Sequence, residues 1–163
     1  ADYQLKLAGR NGEAISVLIL DIDSFKQIND NFGHHLGDRV IVALAKLLKQ
    51  HCQGAEMAAR FGGEEFVILL PGAPLNQALQ RAEQLRLNVE AMQLTADTGD
   101  KISCTISLGV AEVEVATESI EAAVKRADHA LYQAKNSGRN RVVANSSASD
   151  QGLNTDIEIN PGL

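Results

Sequence analysis

The sequence has no tryptophan, and its two tyrosines and four phenylalanines leave it only 4% aromatic. A platform that stacks successive nucleic-acid bases is therefore not expected. Basic residues are also in short supply: 15 Lys and Arg face 21 Asp and Glu, a net charge of −6 over 163 residues. Duplex nucleic acid is bound through a basic surface that neutralises phosphates, so no nucleic-acid polymer is expected as a partner. Apolar runs such as Val17–Leu20 and Phe66–Leu70 fall far short of the roughly 20 residues that cross a bilayer. The chain opens Ala-Asp-Tyr-Gln, without the basic-then-apolar pattern of a signal peptide. The expectation is a cytoplasmic domain, within a full-length protein that could itself be membrane-anchored. Cys52 and Cys104 carry no ligand spacing and read as reduced packing residues.

What is present falls into two parts. Residues 145–163 hold Asp150, Asp156 and Glu158, no Lys or Arg, and many Ser, Asn and Gly. They read as a flexible acidic tail, which leaves residues 1–144 as the folded domain. Residues 1–8 could be the end of a helix that stops at Gly9 and Gly12. Residues 14–22 form a β-branched, nearly continuous apolar run, the mark of a central strand buried on both faces. Helical patterns cover 24–32, 36–53, 75–93 and 118–136. Short strands are expected from Met57 to Phe61 and Glu65 to Leu70, joined through Gly62-Gly63 as a hairpin. A strand over 101–115 follows, with Gly109 permitting a bulge or bend, and a last strand runs from Arg141 to Ala144. The order β-α-β-β-α-β followed by α-β predicts an α+β fold, a ferredoxin-like core with a mainly antiparallel sheet covered by helices.

Carboxylates punctuate this pattern where it matters. Asp21 and Asp23 stand where the buried strand leaves the sheet, an expensive place for charge unless it is solvated, capped or bound to a cation. On local grounds two readings stay open: Asp23 or Ser24 caps the next helix while Asp21 sits in water, or the acids hold a metal. Gly62-Gly63-Glu64-Glu65 delivers two further acids to the start of a strand. Adjacent strand residues point to opposite faces, so only one of Glu64 and Glu65 is expected to join a given site easily. If the first strand and the hairpin are neighbours, a carboxylate from each could share one hard cation such as Mg²⁺.

The stretches Asp21-Ile-Asp-Ser-Phe-Lys-Gln-Ile-Asn-Asp-Asn-Phe-Gly-His-His-Leu-Gly-Asp38, Arg60-Phe-Gly-Gly-Glu-Glu-Phe66 and Tyr132-Gln-Ala-Lys-Asn-Ser-Gly-Arg-Asn140 resemble the signature blocks of GGDEF domains, the diguanylate cyclases, in a GGEEF variant. Three ordered blocks at compatible spacing are far more specific than one pentapeptide. The resemblance implies condensation of two GTP into cyclic di-GMP with loss of two pyrophosphates. It implies that Asp21, the Ile22 carbonyl and Glu64 bind Mg²⁺, with Mn²⁺ as a substitute, and that Glu64 is the base for the 3′-hydroxyl. It places the amides of Ser24, Phe25 and Lys26 on the terminal phosphates, with Lys26 adding charge for the transition state and Lys135 and Arg139 as further phosphate ligands. Asn29 and Asp38 would read guanine, and His34 would lie near the base or ribose. Asp23 and Glu65 are second choices for metal or orientation roles, and Arg60 supports the hairpin or contacts a partner chain.

Two nucleotides must face one another, which implies a homodimer at least during catalysis and an N-terminal sensory or regulatory domain in the full-length protein to bring it about. Two departures from the family pattern stand out. The Arg-x-x-Asp motif for product inhibition is replaced by Gln53-Gly-Ala-Glu56, and Gln lacks the charged bidentate grip of Arg, so feedback there is expected to be weak. The turn and Asn-Arg-Arg expected before the first helix are also missing, as in a trimmed C-terminal domain. The alternative readings are a non-catalytic module of this family that binds GTP or cyclic di-GMP, and a different palm-type nucleotidyl cyclase. Guanine offers adjacent N1–H and N2–H₂ donors that adenine lacks, so Asp38→Ala is expected to weaken GTP binding and GTP-over-ATP discrimination. A titration showing both unchanged would refute the assignment.

Overall fold

The computed structural model describes residues 13–114 and 117–145. The helix expected over residues 1–8 and nearly all of the tail expected over 145–163 lie outside them. The elements are β1 (Ile15–Ile22), α1 (Phe25–Phe32), α2 (His34–His51), β2 (Met57–Gly62), β3 (Glu65–Pro71), α3 (Leu75–Glu90), β4 (Leu94–Thr95), β5 (Lys101–Ile102), β6 (Ile106–Glu112), α4 (Ile120–Asn136) and β7 (Val142–Ala144). The main sheet runs β2-β3-β1-β6-β7. β1 is antiparallel to both β3 and β6, β2 is antiparallel to β3, and only β7 lies parallel to its neighbour. Its first four strands have the order of a ferredoxin-like sheet, and the C-terminal helix and strand extend it, so the α+β expectation holds.

All eight residues of β1 are buried, as the nearly continuous apolar run predicts. Leu18, Leu20 and Ile22 point into the larger core, under α1, α2 and α3, with Leu44, Leu48, Leu85 and Val89. Ile15, Val17 and Ile19 face the smaller core beneath α4, with Ala123, Ala127 and Leu131. Each such aliphatic side chain contributes about 1.5–3 kcal/mol on burial, which fixes β1 as the axis of the domain. Cys104 is buried and its thiol is pushed up to about 11 by desolvation; Cys52 is half-buried, and both are free. Among the described residues no helix is long and apolar enough to cross a membrane.

The structure revises several boundaries. The strand expected over 101–115 is two elements: β5 pairs with β4 in a small hairpin, and the chain rejoins the main sheet only at Ile106. The break arises because the Thr105 carbonyl accepts the Asp23 amide and its hydroxyl donates to the Asp23 carboxylate, drawing Thr105 towards the end of β1. The helix expected over 118–136 starts at Ile120, because Ser119 caps it through its hydroxyl, which accepts the Ala122 amide. Helix α3 stops at Glu90 rather than continuing to 93.

Gly109 makes no bulge. The β1–β6 register runs unbroken through it, paired with Ile19. A Cβ there would fall well inside van der Waals contact of the Ala127 carbonyl oxygen and the Leu131 amide nitrogen. Glycine is needed because α4 lies directly on the strand. Neither clashing atom is a side chain that could swing aside, so Gly109→Ala should cost about 3 kcal/mol, at the upper end for overpacking. That is a fall in Tm of about 10 °C, and a melting curve within a degree of wild type would contradict the close approach.

Candidate active site at the end of the central strand

Asp21, near the end of β1, pairs in register with Glu65 of β3 on one side and Ser107 of β6 on the other. Its residue is only 6% exposed. The Lys135 ammonium, in the last turn of α4, lies 3.0 Å from an Asp21 carboxylate oxygen. Burial is the largest influence on Asp21 and pushes its carboxyl above the ordinary value of 3.8. Lys135 pulls it back, while the charges of Glu64 and Glu65 push it up again. The first strand and the hairpin are therefore neighbours, as the metal reading required.

The hairpin brings both of its acids to this corner. Gly63, at φ 49°, and Glu64 form the turn, since Gly62 pairs with Glu65. The Arg60 guanidinium donates to the Gly63 carbonyl at 2.7 Å, which gives that arginine a hairpin-supporting contact. The Ile22 amide donates to the Glu64 carbonyl at 3.4 Å and fastens the turn to the end of β1. Strand alternation does not separate the two acids, because Glu64 stands in the turn rather than in the strand. Among the described residues no group of three His, Cys, Asp or Glu side chains is placed to hold a metal ion. A metal site here would have to draw on Asp21, Glu64 and backbone oxygen.

Asp23 behaves differently. It accepts hydrogen bonds from the Thr105 hydroxyl (2.7 Å), the Ser107 hydroxyl (2.6 Å) and the Asn140 amide (3.0 Å). Neutral donors thus satisfy this buried carboxylate and tie β1 to β6 and to the turn after α4. It does not cap α1. Neither does Ser24, which sits in the left-handed region at φ 54° without a side-chain cap bond. Its carbonyl accepts the Gln27 and Ile28 amides, so the Phe25 and Lys26 amides stand ahead of them at the open helix end.

The base-reading candidates cluster between α1 and α2. A Cβ on Gly37 would overlap the Asn29 side-chain oxygen and come within 3.1 Å of the Phe25 ring. The Asn29 side chain is thus packed against the residue preceding Asp38. Asp38 and His34 are exposed in the first turns of α2, and Lys26 is exposed on α1. Arg139 follows α4 at φ 62°, exposed, and lines an open groove of about 360 Å³ with Asp23, Ser24, Gln27, Ile28 and Asn140. The structure thus gathers Asp21, Glu64, Glu65 and Lys135 at one corner, Asn29 and Asp38 at a second, and Ser24 and Arg139 at a third. Among the described residues no side-chain hydrogen bond or ion pair joins His34 or Lys26 to any of these. Thr105, Ser107 and Asn140, which anchor Asp23, have no signal in local sequence that would have assigned them this role.

The surface expected to lack product feedback is internally bonded. Glu56 accepts the Gln53 amide at 2.7 Å and pairs with Arg81, whose guanidinium also donates to the His51 carbonyl at 2.7 Å.

A family model described as "Diguanylate cyclase, GGDEF domain" matches residues 1–141. Diguanylate cyclase A of Treponema denticola is 44% identical over 140 residues, covering 86% of this chain and 38% of that protein. The response regulator PleD of Caulobacter vibrioides is 42% identical over 143 residues, covering 87% and 32% respectively. The chain thus spans about a third of the length of these curated relatives. The crystal structure of the GGDEF domain of DgcB from Caulobacter crescentus in complex with c-di-GMP superposes with a TM-score of 0.81 at 36% identity, covering 88% of this chain and 86% of that one.

Because burial holds the folded-state pKa of Asp21 above 3.8, its ionised form weakens the fold at neutral pH, and that cost fades as pH falls through the folded-state value and is gone below the unfolded one. Asp21→Asn should therefore melt higher than wild type at pH 7, with the gap closing towards pH 4. A lower Tm for the variant at pH 7 would contradict burial as the dominant influence.

Proposed function

This chain belongs to the GGDEF domain family, and on that premise we propose that it is the catalytic domain of a diguanylate cyclase, acting on GTP as one half of a two-fold symmetric dimer. The observation that carries the reading is the corner where buried Asp21 meets Lys135 and the two hairpin acids. A charge arrangement that disfavours an ionised carboxylate is held in place at the mouth of the central strand, where a bound cation would relieve it.

The donors there suit a hard divalent ion. Asp21, Glu64 and the Ile22 carbonyl are all oxygens, the set Mg²⁺ takes alongside substrate phosphates, and Mn²⁺ accepts the same set. When bound, such an ion supplies positive charge against the phosphate oxygens and helps the 3′-hydroxyl ionise. The protein's own groups do the rest. Lys135 and Arg139 hold phosphate oxygens from the end of α4, and the open amides of Ser24, Phe25 and Lys26 receive the terminal phosphates, with the Lys26 ammonium offsetting charge that develops on them. Asn29, packed on Gly37, and Asp38 fix the guanine edge, with His34 beside the base or ribose. Glu64 takes the proton from the 3′-hydroxyl, whose oxygen bonds to the α-phosphorus of the facing GTP while the α–β bond breaks and pyrophosphate leaves. A second such step closes the ring. Glu65 adds its negative charge to the field that attracts the cation, and Asp23 orients the scaffold.

The domain is residues 1–144, with 145–163 as an acidic tail. A sensory or regulatory domain N-terminal to it in the full-length protein would set how often two copies meet. Feedback through Gln53 and Glu56 is weak in this reading, because Glu56 is already engaged by Arg81.

Incubation with GTP and Mg²⁺, read by mass spectrometry, should yield cyclic di-GMP and pyrophosphate, no cyclic product from ATP, and a rate per chain that climbs with protein concentration. Glu64→Gln should lower turnover by at least about 100-fold, as expected for loss of a general base. Tight GTP binding without turnover in wild type would instead make the chain a binding module.

A further inference from the structure

Arg139 and Asn140 are adjacent non-glycine residues at positive φ, 62° and 46°. Side-chain residues hold that conformation only when their surroundings over-determine it, and for a long residue such as Arg the strain is greater than for Asn. The bonds that impose it come mostly from outside the turn. The Arg139 amide donates to the Ala134 carbonyl at 3.0 Å, closing the end of α4. The Asn140 amide donates to Asp23. The Asn140 side chain is then gripped from α3: its carbonyl oxygen accepts from Arg86 at 2.7 Å, and its amide donates to Glu90 at 2.7 Å.

Arg86 is itself held rigid. Its guanidinium forks onto both oxygens of Glu83 at 2.7 and 2.9 Å and reaches Glu90 at 2.9 Å, with its side chain only 12% exposed. A planar fork fixed on two carboxylates holds the nitrogen that meets Glu90 with its second N–H aimed in one direction, at Asn140. None of the residues assigned to nucleotide or metal lies on α3, and among the described residues Arg86 bonds only Glu83, Glu90 and Asn140 through its side chain.

We propose that Arg86 is a positioning residue for the nucleotide: through Asn140 it locks the turn that aims Arg139 at the triphosphate. The inference rests on the reading of Arg139 as a phosphate ligand. Glu90 completes the grip, and Asp23 is its anchor on the β1 side. Cutting the link lets Asn140 and Arg139 relax towards negative φ and carries the guanidinium away from the groove it lines with Ser24.

The test measures binding of a non-hydrolysable GTP analogue with Mn²⁺ by calorimetry, using Arg139→Ala, Arg86→Met, Asn140→Gly and the Arg86→Met/Arg139→Ala double variant. Asn140→Gly tolerates the positive φ while removing the gripped side chain, and it leaves Arg86 paired with Glu83 and Glu90, so it decides the matter if Arg86→Met fails to fold. Arg139→Ala should weaken the analogue about tenfold, the effect of losing one charge-assisted contact. Arg86→Met and Asn140→Gly should each reproduce most of that loss. The double variant should be no weaker than Arg139→Ala alone, an interaction a merely stabilising role of Arg86 would not produce. If Arg139→Ala weakens the analogue but the other two single variants do not, or if the losses add, the clamp is overturned while the phosphate-ligand reading stands. If Arg139→Ala has no effect, that reading falls and the clamp with it.

Discussion

A strand buried on both faces has to end in water somewhere, and β1 ends in two carboxylates two residues apart. Desolvation acts on both, and the structure answers it in two ways. Asp23 is surrounded by neutral donors from Thr105, Ser107 and Asn140 and becomes a structural knot joining three segments. Asp21 receives one cation, Lys135, and two nearby negative charges, so that its ionised form remains under-compensated. The first arrangement stiffens the scaffold. The second holds a carboxylate ready for a stronger cation, and the rest of the site is placed relative to that contrast.

Close packing does the placing. The bare face of Gly109 lets the backbone of α4 settle on the sheet, and the last turn of that helix then carries Lys135 to Asp21. The turn that follows is caught by Asp23 on one side and by Arg86 and Glu90 of α3 on the other, which leaves Arg139 at the edge of the groove. At the opposite corner the missing side chain of Gly37 gives Asn29 its seat beside the start of α2. Both glycines make room for a neighbour rather than bend the chain, and each room is used by a residue of the proposed site or by the element carrying one.

Much of this was legible in the sequence, because β1 and the β2–β3 hairpin are specified locally. A nearly continuous, β-branched-rich apolar run and a Gly-Gly turn each carry their own signal, and the register between β1 and β3 then brings Asp21 and Glu65 together. What escaped is what depends on partners far along the chain. Asp23 sits 82 residues from Thr105 and 117 from Asn140, so no window around residue 23 could separate its role from that of Asp21. The split of the strand expected over 101–115 has the same origin. A strand glycine such as Gly109 signals either a bulge or a close approach, and only the position of α4 tells them apart. In sequence Arg86 is a helix arginine flanked by glutamates at i−3 and i+4, a pattern that carries no signal of its contact with Asn140.

In the proposed function Asp21 and Glu64 would hold a divalent cation against a nucleotide's phosphates. Crystals grown with Mn²⁺ and a non-hydrolysable GTP analogue would test it directly through the anomalous signal of the metal. A peak is expected within coordination distance, about 2.0–2.3 Å, of an Asp21 oxygen, a Glu64 oxygen and the Ile22 carbonyl, with Lys135 turned from Asp21 to the phosphates. A metal peak at Asp23, or nucleotide bound with Lys135 still paired to a metal-free Asp21, would contradict it.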